Sequence, residues 1–409
     1  MPRRIVIIGA HAAGVDAASA ARKTDRTAEI TLITEEKNAG YSRCGLPFVI
    51  GGQIPSFNDL IVFPPSYYKM MKLNLRTETT VTRIDTGKKV VEAVDKAGNT
   101  EEIPYDSLII ATGARAFTPP IKGREKEGIL PLRTIEDGQR IDQAIREGAK
   151  SAVVMGAGLI GLETAVALKE RGLNVTVVEM MPQVLPAMLD ADMAKTVQAT
   201  LEQKGINIWT NKPVEEFIGE DKVTGIVAGG EQLNADLFIS AFGVRANTQL
   251  AADAGIALGE TRCIKTNDRM QTNIEDVYAV GDCAESIHLV TKRPVVQQLG
   301  TVAVRQGKVA GINAAGGYAL FHGVLGSAVT ELYDLQIGVT GLTEAAAKRA
   351  GIETVVGSIS SKTKADYYPG AKPIRVKLVV DKESQRIIGA QIIGGEEVTQ
   401  RVNAVSFAI

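Results

Sequence analysis

Cys44 stands in the stretch GYSRCGLPFVIGG, residues 40–52, and is one of only 3 cysteines among 409 residues. Glycines and a proline surround it, which marks a tightly turned loop rather than a regular apolar strand. A thiol in such a place can do redox chemistry. As a thiolate, favoured by helix-terminal N–H groups and by a cation such as Arg43, it can carry a mixed disulfide or a sulfenic acid. The bland alternative is a small buried hydrophobe, the usual condition of a free cysteine. Cys263 and Cys283 lack comparable surroundings and read as structural. The histidines His11, His288 and His322 have no ligand spacing with one another or with the cysteines, so no metal site is expected.

A second group of residues is spaced for phosphate binding. Gly156, Gly158 and Gly161 form G-x-G-x-x-G within SAVVMGAGLIGLETAVALKERG, directly after an apolar run and at the start of a helical pattern. The first glycine makes the tight turn, the second lets a pyrophosphate approach the backbone, and the third admits close helix–strand packing. The helix start then offers free N–H groups and the positive end of its dipole. Glu179 follows about twenty residues on, at the end of NVTVVE, where a carboxylate binds ribose hydroxyls and repels a 2′-phosphate. The next residues, MMPQVLP, hold no arginine or lysine, which favours NADH over NADPH. The same plan occurs earlier in weaker form. RRIVIIGAHAAG carries Gly9 and Gly14 but has His11 at the middle glycine position, and EITLITE ends at Glu35. A plain strand-to-helix turn is the alternative there.

Parallel strands must hold these residues. Each copy reads strand, glycine turn, helix, strand, acid, and closes on a further apolar run, SLIIATGARA in the first and DLFISAFGVRAN in the second. A third signal, TNIEDVYAVGDCAE, puts an apolar strand before Gly281 and Asp282. From about residue 320 onward, LQIGVTGLT, IRVKLVVD and RIIGAQIIGG read as strands alternating with a short helix, an α+β module. Lysine plus arginine total 46 against 47 aspartates plus glutamates, so no global field favours nucleic acid or an anionic membrane. No apolar run has the length of a membrane span. The chain opens directly on a strand, and three scattered cysteines make no disulfide framework, so a cytoplasmic protein is expected. It stops within the helical pattern RVNAVSFAI, so further residues are expected to follow.

The two glycine fingerprints, the turn Ala111-Thr112-Gly113 and the YAVGD stretch together resemble the pyridine nucleotide–disulfide oxidoreductase superfamily, over nearly the whole chain. The resemblance implies an α/β fold with two Rossmann-like dinucleotide-binding domains, for FAD and NAD, plus a C-terminal α+β dimerisation domain. Residues 1–112 and 245–319 would then bind FAD, residues 113–244 NADH, and residues 320–409 would form a dimerisation domain truncated at its end. A two-fold homodimer is expected. FAD contacts are implied at Gly9, Gly14, Glu35, Thr112, Gly113 and Asp282. NADH contacts fall at Gly156, Gly158, Gly161 and Glu179. Further cofactor contacts are implied at Ala12, Ala13, Arg43, Val81, Ala111, Leu159, Ile160, Glu163, Gly243, Gly281 and Ala303.

Family members that reduce disulfides usually carry C-x-x-x-x-C, but the fifth residue after Cys44 is Val49. YSRCGLPF instead resembles the single-cysteine branch: coenzyme A disulfide reductases, persulfide reductases, NADH oxidases and NADH peroxidases. The implied reaction passes electrons from NADH through flavin and Cys44 to a small disulfide, persulfide or polysulfide of coenzyme A type. ADYYPGAK resembles the tyrosine-bearing turn that reaches the partner's cysteine in coenzyme A disulfide reductases, so Tyr367 or Tyr368 could act on the leaving thiolate. Aromatic packing at a dimer interface is the alternative. The oxidase and peroxidase histidine, three residues after the first fingerprint glycine, is Ala12 here, which counts against a peroxidase. Asp16, Ala20 and Arg43 stand where coenzyme A disulfide reductases carry Thr, Gln and Asn, while Lys23 and Arg76 suit coenzyme A phosphates. Two other acceptors stay open: dioxygen, as in an NADH oxidase, and an iron–sulfur protein, since EEKNAGYSR also resembles the loop of ferredoxin- or rubredoxin-reducing relatives.

Overall fold

Isoleucine and valine runs make parallel strands here because β-branched side chains pack well on both faces of a covered sheet. The computed structural model describes all 409 residues, and the chain divides into two units. The first comprises residues 1–42, 58–115 and 245–324. Its parallel sheet centres on Arg4–Ile8, with Glu29–Ile33 and then Leu73–Arg76 on one side and Ser107–Ile110 and then Val277–Ala279 on the other. The second strand ends at Ile33, short of the expected Glu35. Helix Ala12–Thr24 packs against helix Gly300–Ala314, and glycines set their closeness: a Cβ at Gly307 or Gly311 would lie 2.3 or 2.1 Å from the carbonyl oxygen of Ala13 or Ala17.

The second unit comprises residues 43–57, 116–244 and 325–409. Its parallel sheet has the order Asn207–Trp209, Asn174–Val178, Ser151–Met155, Leu237–Ser240, Ile129–Pro131. Helix Leu159–Glu170 joins Ser151–Met155 to Asn174–Val178 and buries Leu162, Ala165 and Leu168. The C-terminal part is a five-stranded antiparallel sheet in the order Ala328–Leu332, Leu335–Gly341, Ile387–Gly394, Pro373–Asp381, Thr354–Lys362. Helix Val398–Ala408 lies on it, with Val398 and Val402 buried against Ile374 and Ile392. No helix is long and apolar enough to cross a membrane.

Candidate active site and cofactor-binding turns

Cys44 occupies a single 3-10 turn, Arg43–Gly45, that runs into the short helix Leu46–Ile50, with Pro47 in the first helical turn. Proline suits that position because the N–H it lacks has no helical partner there. Cys44 is exposed, whereas Val49 and Ile50 behind it are buried. The segment is anchored to the second unit from three sides. Arg43 Nη1 donates to the carbonyl of Arg133 at 2.6 Å, and Arg171 Nη1 donates to the carbonyl of Ile50 at 2.8 Å and to Asp142 at 3.0 Å. Gly138, on helix Ile135–Arg146, makes room for Phe57: a Cβ there would lie 2.5 Å from its ring. At least one Arg43 donor is thus committed to a backbone carbonyl. Cys263 and Cys283 are buried, and burial pushes both thiols up from their ordinary pKa.

The turn after Ser151–Met155 has the shape its glycines promised. Gly156 has φ +113°, and a Cβ on it would lie 2.3 Å from the Ala241 carbonyl oxygen; one on Gly161 would lie 2.0 Å from that of Gly156. Both must be glycine. Gly158 differs: a Cβ there meets nothing within 4 Å, which is the open cradle a pyrophosphate needs. Leu159 begins the helix and Ile160 is exposed on its first turn. Glu179 is buried; its carboxylate accepts the N–H of Ala157 at 2.7 Å and that of Met181 at 2.8 Å. It braces the fingerprint turn and keeps spare lone pairs for ribose hydroxyls. Glu163 accepts from the Thr330 hydroxyl at 2.6 Å, and burial holds its carboxyl above the usual carboxylate range. Gly243 has φ +102° and nothing within 4 Å of a Cβ. This unit can hold an NAD phosphate group at an open, donor-rich helix start.

In the first unit, Gly9 has φ +114° and a Cβ there would lie 2.1 Å from the Ala111 carbonyl oxygen; one on Gly14 would lie 1.9 Å from that of Gly9. Helix Ala12–Thr24 begins here with His11 at its N-cap and no side-chain cap on its first N–H groups. Ala12, Ala13 and Gly14 therefore leave amides free for an anion. Thr112 Oγ1 donates to the Asn247 carbonyl at 2.7 Å, and Asn247 returns an amide bond to the Thr112 carbonyl at 3.0 Å, fixing the turn at Ala111 and Gly113. Gly281, at φ +77°, donates its N–H to Gln306 Oε1 at 2.8 Å, while Gln306 Nε2 donates to Ser286 at 2.9 Å. That buried amide orients the turn carrying Asp282. Ala303 is buried on helix Gly300–Ala314, and Val81 lies at a bulge in strand Thr79–Asp85. The residues fit a second dinucleotide.

Glu35 is exposed beyond the end of its strand. The neighbouring Glu36 is the acid that meets His11 and Tyr41. Tyr367 and Tyr368 are 83% and 57% exposed on the hairpin between Thr354–Lys362 and Pro373–Asp381, with ring centroids 5.5 Å apart. Arg76 is paired with Glu101 at 2.7 Å, and Asp16 lies 3.7 Å from Lys308. Sequence reasoning missed Glu36, Asn247, Gln306 and Thr330. Only Glu36 left a trace, as the second of two adjacent acids; the others act across long stretches of chain.

A family model described as pyridine nucleotide-disulphide oxidoreductase matches residues 3–307, and that of its dimerisation domain matches residues 328–409. An NADH oxidase of Methanocaldococcus jannaschii is 47% identical over 99% of this chain and 91% of its own length. An NAD(P)H coenzyme A polysulfide/persulfide reductase of Pyrococcus horikoshii is 33% identical over 97% of this chain and 88% of its own. The solved structure of an NAD-dependent persulfide reductase from A. fulgidus superposes with a TM-score of 0.97 at 42% identity, over 99% of this chain and 76% of that one.

Proposed function

We propose that this chain, which belongs to the pyridine nucleotide-disulphide oxidoreductase family, passes electrons from NADH through FAD and Cys44 to a disulfide, persulfide or polysulfide of a small thiol. The family is FAD-dependent and uses NADH. One observation carries the rest: of three thiols, only Cys44 is exposed, and it sits in the turn leading into a short helix, a segment anchored through Arg43 and Arg171.

Bound FAD supplies a two-electron relay from NADH. The Cys44 thiolate attacks R–S–S–R′, so that Cys44–S–S–R forms and R′S⁻ leaves. The electron pair of NADH then cleaves the mixed disulfide, RS⁻ leaves, and the thiolate is restored. The sum is NADH, a proton and R–S–S–R′ giving NAD⁺, RSH and R′SH. Glu179 and the Gly158 cradle would orient NADH, and the lack of a cation in residues 180–186 favours it over NADPH. Residues 1–112 and 245–319 are taken as the FAD-binding part, 113–244 as the NADH-binding part, and 320–409 as the module joining two copies in a cytoplasmic homodimer. Tyr367 and Tyr368 are exposed, and in a homodimer either phenol could protonate a leaving thiolate. A coenzyme A thiol is the relevant class in the Pyrococcus horikoshii relative.

Anaerobic titration with NADH tests the reading. A long-wavelength thiolate-to-flavin absorbance band is expected in the wild type and lost in Cys44→Ser. A serine variant that reduces disulfides or persulfides as fast as the wild type refutes it. The 47% identical NADH oxidase favours a second reading, reduction of dioxygen, which steady-state oxygen uptake measures. An iron–sulfur acceptor instead predicts ferredoxin reduction retained in Cys44→Ser.

A further inference from the structure

His11, Glu36 and Tyr41 meet in the first unit. His11 Nε2 lies 3.1 Å from Glu36 Oε1, the Tyr41 hydroxyl donates to Glu36 Oε2 at 2.7 Å, and the His11 and Tyr41 rings meet edge to face with centroids 4.8 Å apart. The two carboxylate oxygens thus face different side chains, the Tyr41 hydroxyl hydrogen-bonding one and the His11 imidazole lying within ion-pair distance of the other. The backbone follows the same path, since the Gly40 N–H donates to the Ala10 carbonyl at 2.8 Å. His11 is the residue at the middle glycine position of the first fingerprint and the N-cap of helix Ala12–Thr24. Tyr41 is buried, three residues before Cys44 along the chain. The Tyr41–Glu36 hydrogen bond, made by a buried tyrosine to a part-buried carboxylate, holds its partners more firmly than a fully exposed pair.

We propose that Glu36 is a positioning residue: clasped by His11 and Tyr41, it fixes the start of the cysteine-bearing segment to the first fingerprint turn, so that FAD retention and the reactivity of Cys44 change together. The inference rests on the FAD and Cys44 roles given above. It differs from a merely structural role, which would let the two properties vary separately.

The test uses FAD-loaded wild type, Glu36→Gln, Glu36→Ala, Tyr41→Phe and the double variant of the last two. One readout is the rate at which flavin fluorescence appears on dilution into flavin-free buffer. The other is the rate of Cys44 alkylation by iodoacetamide, followed by mass spectrometry of its peptide. Tyr41→Phe and Glu36→Ala are each expected to speed FAD release about five- to tenfold, the effect of one charge-assisted hydrogen bond. Both should change Cys44 alkylation about threefold in the same variants, and Glu36→Gln, whose amide oxygen still accepts from Tyr41, should recover part of both. The double variant should match Glu36→Ala alone, because both changes break one clasp. Faster FAD release with unchanged Cys44 alkylation, or additive effects, overturns the proposal. Should Glu36→Ala fail to fold, Tyr41→Phe, which removes one oxygen atom, carries the test. A wild type that binds no FAD overturns the functional reading and this proposal with it; an FAD-loaded wild type with uncoupled variants overturns this proposal alone.

Discussion

Lys377 is the sharpest test of how the segment after Glu179 is held. Its side chain is 3% exposed, and its Nζ lies 2.5 Å from Glu344, 2.7 Å from Asp192 and 3.2 Å from Asp190. Burial opposes the Lys377 charge, but the carboxylates outweigh it and hold the ammonium above its ordinary pKa. Asp190, 8% exposed, also accepts the N–H groups of Glu344 and Ala345 at the start of helix Glu344–Arg349 and an amide from Gln391. Lys377→Met would keep the stem volume and remove the charge. Breaking one side of a buried ion pair costs about 3–5 kcal/mol. Asp190 keeps its amide donors, Asp192 keeps Arg375 at 2.7 Å, and Glu344 is 43% exposed, so the lower end, about 3 kcal/mol, is expected. For a unit of roughly 200 residues that corresponds to a melting shift of about 6–12 °C. Scanning calorimetry of the FAD-loaded protein measures it. Glu344→Gln, at the exposed edge, should cost under about 1 kcal/mol. A Lys377→Met variant as stable as the wild type, or a Glu344→Gln variant equally damaged, would refute the reasoning.

Two more outcomes follow from particular atoms. Gly158→Ala should melt within about 1 °C of the wild type yet raise the KM for NADH roughly tenfold, because its methyl fills the phosphate cradle. Gly156→Ala should instead lose about 2 kcal/mol or more, given its positive φ and the nearby Ala241 carbonyl; equal melting points for the two variants would contradict this. His288 is buried, its Nδ1 accepts the N–H groups of Val290 and Thr291, and burial depresses its pKa below the ordinary value. A depressed base takes up its proton more readily unfolded, so stability is full above about pH 6.5 and falls as pH drops below it. The urea midpoint of the wild type should therefore fall further between pH 7 and pH 5 than that of His288→Gln, and equal pH dependence in the two would contradict this.

What was legible in the sequence is what neighbours enforce on neighbours. Gly156 and Gly161 sit five residues apart and shape one turn, so their spacing alone announces it. The division of labour between Glu35 and Glu36 was not legible: the strand ends at Ile33, two residues early, and the side chain that turns inward is set by the packing of Tyr41 and His11. Thr330 reaches Glu163 across 167 residues and Lys377 reaches Asp192 across 185, and no local pattern encodes such pairings. The same holds for residues 43–57, which follow the first fingerprint in the chain but group with the second unit through Arg43, Arg171 and Gly138.

The lone exposed thiol constrains the acceptor more than any other feature. Two electrons arrive from each NADH, and a dithiol could store them by opening its own disulfide. With Val49 buried at the fifth position after Cys44, this segment has no second sulfur to share the task. On the route proposed above, the bond reduced at Cys44 is brought in from outside: a sulfur–sulfur bond from a disulfide or persulfide, or a sulfur–oxygen bond left by oxygen chemistry. The relatives include both a protein named as a reductase and one named as an oxidase, and the proposed route accommodates either kind of acceptor. On that route, the choice of acceptor falls to the residues that decide what reaches Cys44 rather than to the dinucleotide turns.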